Sequence, residues 1–393
     1  MADEKSFFIR VLSVHLNARK TIPPENVDWS VVSKLSYIHQ VEGIVFFQCK
    51  EFIPAKEFKR LEQRYFVTLY YYKNREGLLA NIDKEFSNNS IQYIEIKGFK
   101  VARYYPIPEL RTMGDTDLVV HEADRDRASR ILSDMGLVNQ YEYTGKERGF
   151  STNNINIELH HCLIYEEVVT TAVQESFFNN CWEYFDQNNL NHSFHFLFVM
   201  AHVRKHMLNE GVGIRQFMDL AVLIKNDCTL DWTWITEKLK ELQMLQFAYA
   251  CFGIIEYWFG IKAPIEYTTI DNEFKENATE RIMRNGVFGF DDKNNRNNNV
   301  ANQMRVYSGP RGMLRTKIFI ERAFPSYKFL KSSEQYRFLL GKPWLLPVAW
   351  CYRFYLMLNG KTTSGRIIVG RIMQSKETLE VRYNELKQWG LID

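Results

Sequence analysis

The hydrophobic period of this chain changes at Ile91, and that change constrains the fold more than any other feature. Before it, apolar residues recur at spacings of three and four. Phe7, Val11 and Leu12 with His15 form one such set, and Leu61, Tyr65, Leu69 and Tyr72 another. This is the period of helices that bury one face, so residues 1–86 read as a helical N-terminal region. From Ile91 to Ile96 the sequence Ile-Gln-Tyr-Ile-Glu-Ile alternates, is rich in β-branched and aromatic residues, and ends at Lys97-Gly98. That pattern is a strand entering a turn. A second strand is expected at Thr116 to Val120. After it, Ala123 to Met135 places Ala128, Ile131, Leu132 and Met135 on one helical face before a stop at Gly136. Ile155-Asn-Ile-Glu-Leu159 alternates again and sends Glu158 to the sheet face opposite Ile157 and Leu159.

Residues 87–190 therefore read as a core with a mixed sheet. Residues 191–393 return to helical spacing, with helices expected at Phe194 to Leu208, Gly213 to Lys225, Trp232 to Leu242 and Leu245 to Phe259. The fold class is α+β: a mixed β-sheet flanked by helices, with a helical N-terminal and a large helical C-terminal region. Asn294 to Asn299, with Asp291 and Asp292 upstream, reads as a polar loop between helices, and no repeat recurs at solenoid periods.

Composition excludes two classes. Fifty Lys and Arg against 47 Asp and Glu leave a formal charge of +3, which supplies no global attraction for bulk nucleic acid. The apolar stretch from Trp344 to Leu358 contains Pro347 and Arg353 and is too short to span a bilayer, so it reads as a core helix in preference to an interfacial one. Six dispersed cysteines without a C-x-x-C pair, and no signal peptide before Phe7, lead us to expect reduced thiols and a cytoplasmic protein.

The chemistry concentrates at Gly114-Asp-Thr-Asp-Leu-Val-Val120. Aspartates at i and i+2 at the mouth of a strand point the same way, so Asp115 and Asp117 can reach one cation. Mg2+ takes hard oxygen ligands, commonly one or two carboxylates with phosphate oxygens and water. Two such ions stabilise both the entering and the leaving oxygen of a displacement at phosphorus. Glu158, on a later strand, is the best-placed third carboxylate. An isolated D-x-D is usually a cap or a solvated turn. Lys97-Gly98 on the preceding strand and Arg111 four residues before Asp115 move the balance, because a strand-end glycine lets backbone approach a ligand and nearby cations neutralise a triphosphate.

Ile96-Lys-Gly-Phe-Lys100, Tyr105-Pro106, Leu110-Arg-Thr-Met-Gly-Asp-Thr-Asp-Leu-Val-Val120 and Ile157-Glu-Leu-His160 together resemble the uncharacterised nucleotidyltransferase family of the polymerase-beta-like superfamily. His202 to His206, Gly211 to Asp219, and Pro343 to Pro347 with Trp350 and Arg353 are similar to its helical parts, so the resemblance covers roughly residues 90 to 360. It implies residues 87–190 as the catalytic core, with Asp115, Asp117 and Glu158 as catalytic residues and ligands of Mg2+ or Mn2+. It further implies transfer of a nucleoside monophosphate from a triphosphate such as ATP. Lys97, Gly98, Lys100, Arg111 and Gly114 are the expected nucleotide-binding residues. His160, His202 and Arg215 are expected at the cleft or the acceptor. The chain departs from the superfamily at Phe99, where Ser or Gly usually follows the glycine. The acceptor is unidentified: a small molecule, a protein side chain and an RNA end all fit. An inactive nucleotide-binding or regulatory module of the same fold is the alternative.

Other patterns are weaker. His202 and His206 share a helix face, but no H-E-x-x-H or cysteine pair completes a zinc site. Gly360-Lys361-Thr362 lacks the first glycine of a P-loop, since Tyr355 stands there, and no G-x-S-x-G is present.

Overall fold

The fold is that of a computed structural model, which describes residues 2–143, 147–164, 171–186, 189–209, 211–268, 270–287, 324–330, 334–339, 341–358 and 383–392. The loop expected at 294–299 and the Gly360–Thr362 tripeptide lie outside these residues. The chain divides into two compact units, 1–292 with 389–391, and 293–388 with 392–393.

In the first unit, helices α1 (Ala2–Leu16), α2 (Trp29–Ile38), α3 (Glu42–Cys49) and the long α4 (Ala55–Asn88) precede the sheet. Strands β1 (Tyr93–Ile96), β2 (Asp115–Val120), β3 (Val138–Tyr143), β4 (Glu147–Thr152) and β5 (Ile155–His160) form one sheet in the order β1-β2-β5-β4-β3. Only β2 and β5 run parallel among its neighbouring pairs; the others are antiparallel. The short α5 (Gly98–Ala102) follows β1, and α6 (Arg125–Asp134) follows β2, ending where Gly136 turns to φ +87°. Beyond the sheet come α7 (Ala172–Asn179), a two-residue ribbon of β6 (Phe185–Asp186) and β7 (Asn189–Leu190), then α8 (His192–Asn209), α9 (Ile214–Asn226), α10 (Trp232–Glu241), α11 (Leu245–Phe259) and α12 (Asn272–Asn285).

Alternation along the strands decides what each sheet face meets. Leu118, Val120, Ile157 and Leu159 pack on one face against Leu79, Ile82 and Phe86 of α4 and Ala128 and Leu132 of α6. The odd members of β2 and the even members of β5 are left on the other face. There Asp117 pairs in register with Glu158, Glu158 with Gly149, Gly149 with Tyr141, and Asp117 with Ile96, a row that crosses all five strands.

In the second unit, α13 (Tyr327–Leu330) precedes a 3-10 segment (Glu334–Leu339), and α14 (Leu346–Leu358) follows. Leu330, Tyr336, Leu339 and Ala349 form its small core. The expected core helix is thus buried at Ala349 and Leu356, while Trp344, Val348, Tyr352 and Tyr355 are exposed. No helix among the described residues is long and apolar enough to cross a membrane. All six cysteines are free thiols.

Candidate active site

The carboxylate row opens on a cavity of about 780 Å³ in the first unit, walled by the sheet on one side and by α4, α8 and α9 on the others. Lys97, Gly98, Arg111, Gly114, Asp115, Asp117 and Glu158 all line it, as do His202 and Arg215. Asp117 is buried, and its Oδ1 receives Lys97 Nζ at 2.6 Å and His160 Nε2 at 3.2 Å. Burial alone would raise the Asp117 carboxyl, but Lys97 and His160 hold it down to about 2. Burial likewise works against charge on His160, yet hydrogen bonds to Asp117 and Glu158 raise it to about 9. Asp115 is raised, by burial first and by the Asp117 charge second. Among the described residues its carboxylate has no ion-pair partner and remains available to a ligand.

Ligand atoms of Asp117, Glu158 and His160 lie within 4.8 Å of one another, the compact set that a metal ion requires. His160, expected at the cleft, does not line the cavity but belongs to this set, whereas Asp115 lines the cavity and lies outside the set. The two carboxylates with an imidazole, and Asp115 beside them, fit a divalent cation that prefers oxygen and tolerates nitrogen.

Backbone geometry delivers these groups. Lys97 leaves β1 with φ +53° and ψ −135°, an unfavourable conformation for a residue with a Cβ. Its N–H donates to Nε2 of His195 on α8 at 3.2 Å, while its side chain folds back to Asp117. Gly98 then runs so close to β2 that a Cβ would stand 3.1 Å from the Asp115 carbonyl oxygen. Across the sheet, a bulge between Asn139 and Tyr141 sets Tyr141 opposite Gly149. The phenol ring lies where a Gly149 Cβ would be, so that the hydroxyl reaches Glu158 Oε1 at 2.9 Å and Glu147 Oε1 at 2.8 Å.

The expected nucleotide contacts separate. Lys100 does not line this cavity: it faces a groove on the outer edge of β1, 3.4 Å from Asn189 Oδ1, where burial pushes its ammonium down to about 8. Arg111 lines the cavity but gives its Nε and Nη2 to the two oxygens of Asp219 at 2.8 and 2.7 Å, and Tyr105 donates to the same carboxylate at 2.7 Å. His202 and His206 share a hydrogen bond at 2.9 Å between their Nε2 atoms, and burial drives His202 well below the usual imidazole range.

A family model described as an uncharacterised nucleotidyltransferase matches residues 25–260, more than half of the chain. The chain belongs to this nucleotidyltransferase family. No curated protein and no solved structure matches it. The match takes in the N-terminal helices from α2 onward, the whole sheet and α7 to α11, and so contains every residue of the carboxylate row. It stops before Pro343–Arg353, so that segment's similarity to the family is not part of it.

Three residues at the site of this nucleotidyltransferase, Arg75 and Tyr141 lining the cavity and Glu147 beside Tyr141, escaped sequence reasoning. Arg75 is buried and donates to the Gly114 and Asp115 carbonyls at 3.3 and 3.2 Å. Its signal was a charge on the Tyr72–Leu79–Ile82–Phe86 face of α4, where every third or fourth residue is apolar. Tyr141 had no signal, because the bulge breaks the alternation of β3. Glu147, which meets the same phenol, lies on an equally polar strand.

Proposed function

We propose that the chain transfers a nucleoside monophosphate from a nucleoside triphosphate to an acceptor hydroxyl or similar group, using Mg2+ or Mn2+ held by Asp115, Asp117 and Glu158. The reading is carried by the register match of Asp117 with Glu158 on adjacent parallel strands, with Asp115 two residues earlier on the same face and the cavity in front. His160 stands behind Asp117 and Glu158 as orienting group or additional ligand. When bound, the cation offsets the negative charge that builds on the phosphoryl oxygens.

The protein's own groups supply position and proton traffic. The acceptor oxygen attacks the α-phosphorus, the bond to the β-phosphate breaks, and pyrophosphate leaves. Glu158, fixed by the Tyr141 hydroxyl, takes the acceptor's proton. Lys97, held by His195 through its backbone, keeps an ammonium on the cavity wall for the phosphates.

Each of the four common triphosphates, incubated with Mg2+ and a cell extract, tests this reading through pyrophosphate release and a labelled acceptor. Release that requires the metal and fails in Glu158→Gln supports it. The retained-scaffold reading is favoured by Phe99, whose ring is buried 5.0 Å from that of Tyr72 and offers no hydroxyl after Gly98. Triphosphate binding without pyrophosphate release under any of these conditions would establish that alternative.

A further inference from the structure

The geometry points to Arg75 and Arg215 as the subsite for the polyphosphate tail of the nucleotide, the part that leaves as pyrophosphate. This rests on the triphosphate reading above and goes beyond it by naming the groups that hold the tail.

Five lysine and arginine side chains line the cavity: Arg64, Lys97, Arg111, Arg75 and Arg215. Three are ion-paired with carboxylates in this structure, and of these Lys97 is the one already assigned to the phosphates. Arg64 meets Glu42 at 3.1 Å, Lys97 meets Asp117 at 2.6 Å, and Arg111 is matched in bidentate fashion by Asp219. Arg75 and Arg215 hydrogen-bond only to neutral acceptors among the described residues, although Asp115 and Asp117 act on Arg75, and Asp219 and Asp115 on Arg215, without a direct ion pair. Arg75 donates to the Gly114 and Asp115 carbonyls, and Arg215 Nη1 donates to Gln40 Oε1 at 2.7 Å and to the Thr112 carbonyl at 2.9 Å. The Nε of each is buried without a partner.

A guanidinium withdrawn from water and set against neutral acceptors is destabilising, and the fold tolerates it where an anion completes the site. Burial accordingly pushes Arg75 down to about 10 and lowers Arg215. The two residues come from different helices, α4 and α9, and grip the same short loop, Thr112 to Asp115, which ends at the first carboxylate of the row. An anion held there adjoins the place where the α-phosphate must sit. Arg215 Nη2 makes no hydrogen bond among the described residues and lies on a side chain that lines the cavity. Planar guanidinium groups match two phosphate oxygens at once, which suits a diphosphate better than a lone carboxylate or a neutral base. Arg111 cannot fill the role, because Asp219 already occupies its fork. Lys100 opens onto the other groove.

The test is isothermal titration of sodium tripolyphosphate, sodium pyrophosphate, a nucleoside triphosphate and the free nucleoside into the full chain in Mg2+ buffer. Arg75→Gln and Arg215→Gln are compared with wild type and with Arg103→Gln, which removes an equal charge from the exposed partner of Glu95. Thermal melts establish which variants fold; either folded variant decides, and Arg75→Lys and Arg215→Lys replace any that does not. Tripolyphosphate affinity is expected to fall at least about tenfold, the loss of one charge-assisted contact, in each glutamine variant, and less in the lysine variants. Nucleoside affinity and the Arg103→Gln chain should not change. Weakening of pyrophosphate in parallel assigns the site to the free product as well as to the bound tail, whereas weakening of the triphosphates alone confines it to the tail. Wild-type tripolyphosphate affinity in the folded variants, or none in wild type, overturns the inference. Loss of tripolyphosphate binding in a chain that never releases pyrophosphate would keep the subsite and sink the transfer reaction. Unchanged binding with intact release would do the reverse.

Discussion

Two buried ion pairs, Arg111 with Asp219 and Lys97 with Asp117, lie on the walls of one cavity in opposite surroundings. At Asp219 the inventory is closed: two guanidinium bonds and the Tyr105 hydroxyl satisfy one carboxylate, and no second acid among the described residues shares them. At Asp117 it is open. Lys97 brings one ammonium to a group of acids that includes Glu158, with Asp115 and Glu147 close by, and His160 is drawn into its protonated form to help balance them. A closed pair fastens α9 to the segment before β2. An open one keeps negative charge in reserve, which a cation can take up.

Breaking the closed pair should give the largest effect on stability. Asp219→Asn leaves the Arg111 guanidinium buried without its counter-charge and is expected to cost about 3–5 kcal/mol in denaturant unfolding. A loss under about 1 kcal/mol would mean that the pair is not the bolt described here. Breaking the open cluster should act on chemistry instead. Glu158→Gln is expected to lower turnover about 10²-fold or more and to leave much of the triphosphate affinity and the melting temperature in place. A comparable drop in stability would make Glu158 a structural residue.

These two pairs were also unequally legible in the sequence. The i, i+2 spacing in β2 put Asp115 and Asp117 on one face of their strand and the alternation of β5 put Glu158 opposite Ile157 and Leu159, but that the two faces coincide rests on the β2–β5 register, which the sequence does not show. Arg111 was read as a phosphate contact because nothing local reveals that Asp219, 108 residues later, fills its fork. Strands β3 and β4 passed unseen. Val138–Tyr143 and Glu147–Thr152 carry few apolar residues, lie toward the far edge of the sheet, and are joined across a bulge that shifts Tyr141 onto the Gly149 position. With them went Tyr141, which meets Glu158 from the side, and Glu147, which meets the same phenol. Helices α8 to α11 were clear because each carries an apolar face, whereas α12, with Phe274, Ala278, Ile282 and Met283 buried among polar residues, passed unread. Asp219 is the one acid on α9 and is buried with most of that helix, and its partner is visible only in three dimensions.

A smaller perturbation sharpens the contrast at the open cluster. Gly149→Ala puts a methyl group into the Tyr141 ring, and relief of that overlap should move the phenol off Glu158. The expected cost is about 1–3 kcal/mol in stability, accompanied by reduced turnover. Unchanged activity would show that Tyr141 does not set the Glu158 geometry.

The smallest effect concerns acid. His39 accepts the Ile214 N–H at the start of α9, and burial holds its imidazole neutral down to about pH 3. Its folded value lies below the ordinary 6.5, so its contribution is present above pH 6.5 and is lost as pH falls toward 3. Between pH 6.5 and 5.5 the chain should lose about 1 kcal/mol that a His39→Asn variant does not lose, as followed by denaturant unfolding at each pH. Identical pH profiles for the two chains would remove His39 as an anchor of the closed pair's helix.

The central claim is that Asp115, Asp117 and Glu158 hold a divalent cation against a nucleotide. It is tested most directly by a crystal of the chain with Mn2+ and a non-hydrolysable triphosphate, read by anomalous scattering. The expected result is a peak in contact with Asp117 and Glu158, Asp115 turned to the same cluster, and Lys97 Nζ moved from Asp117 toward the phosphates. A peak elsewhere, or a bound triphosphate with Lys97 still on Asp117 and no metal between the carboxylates, would contradict it.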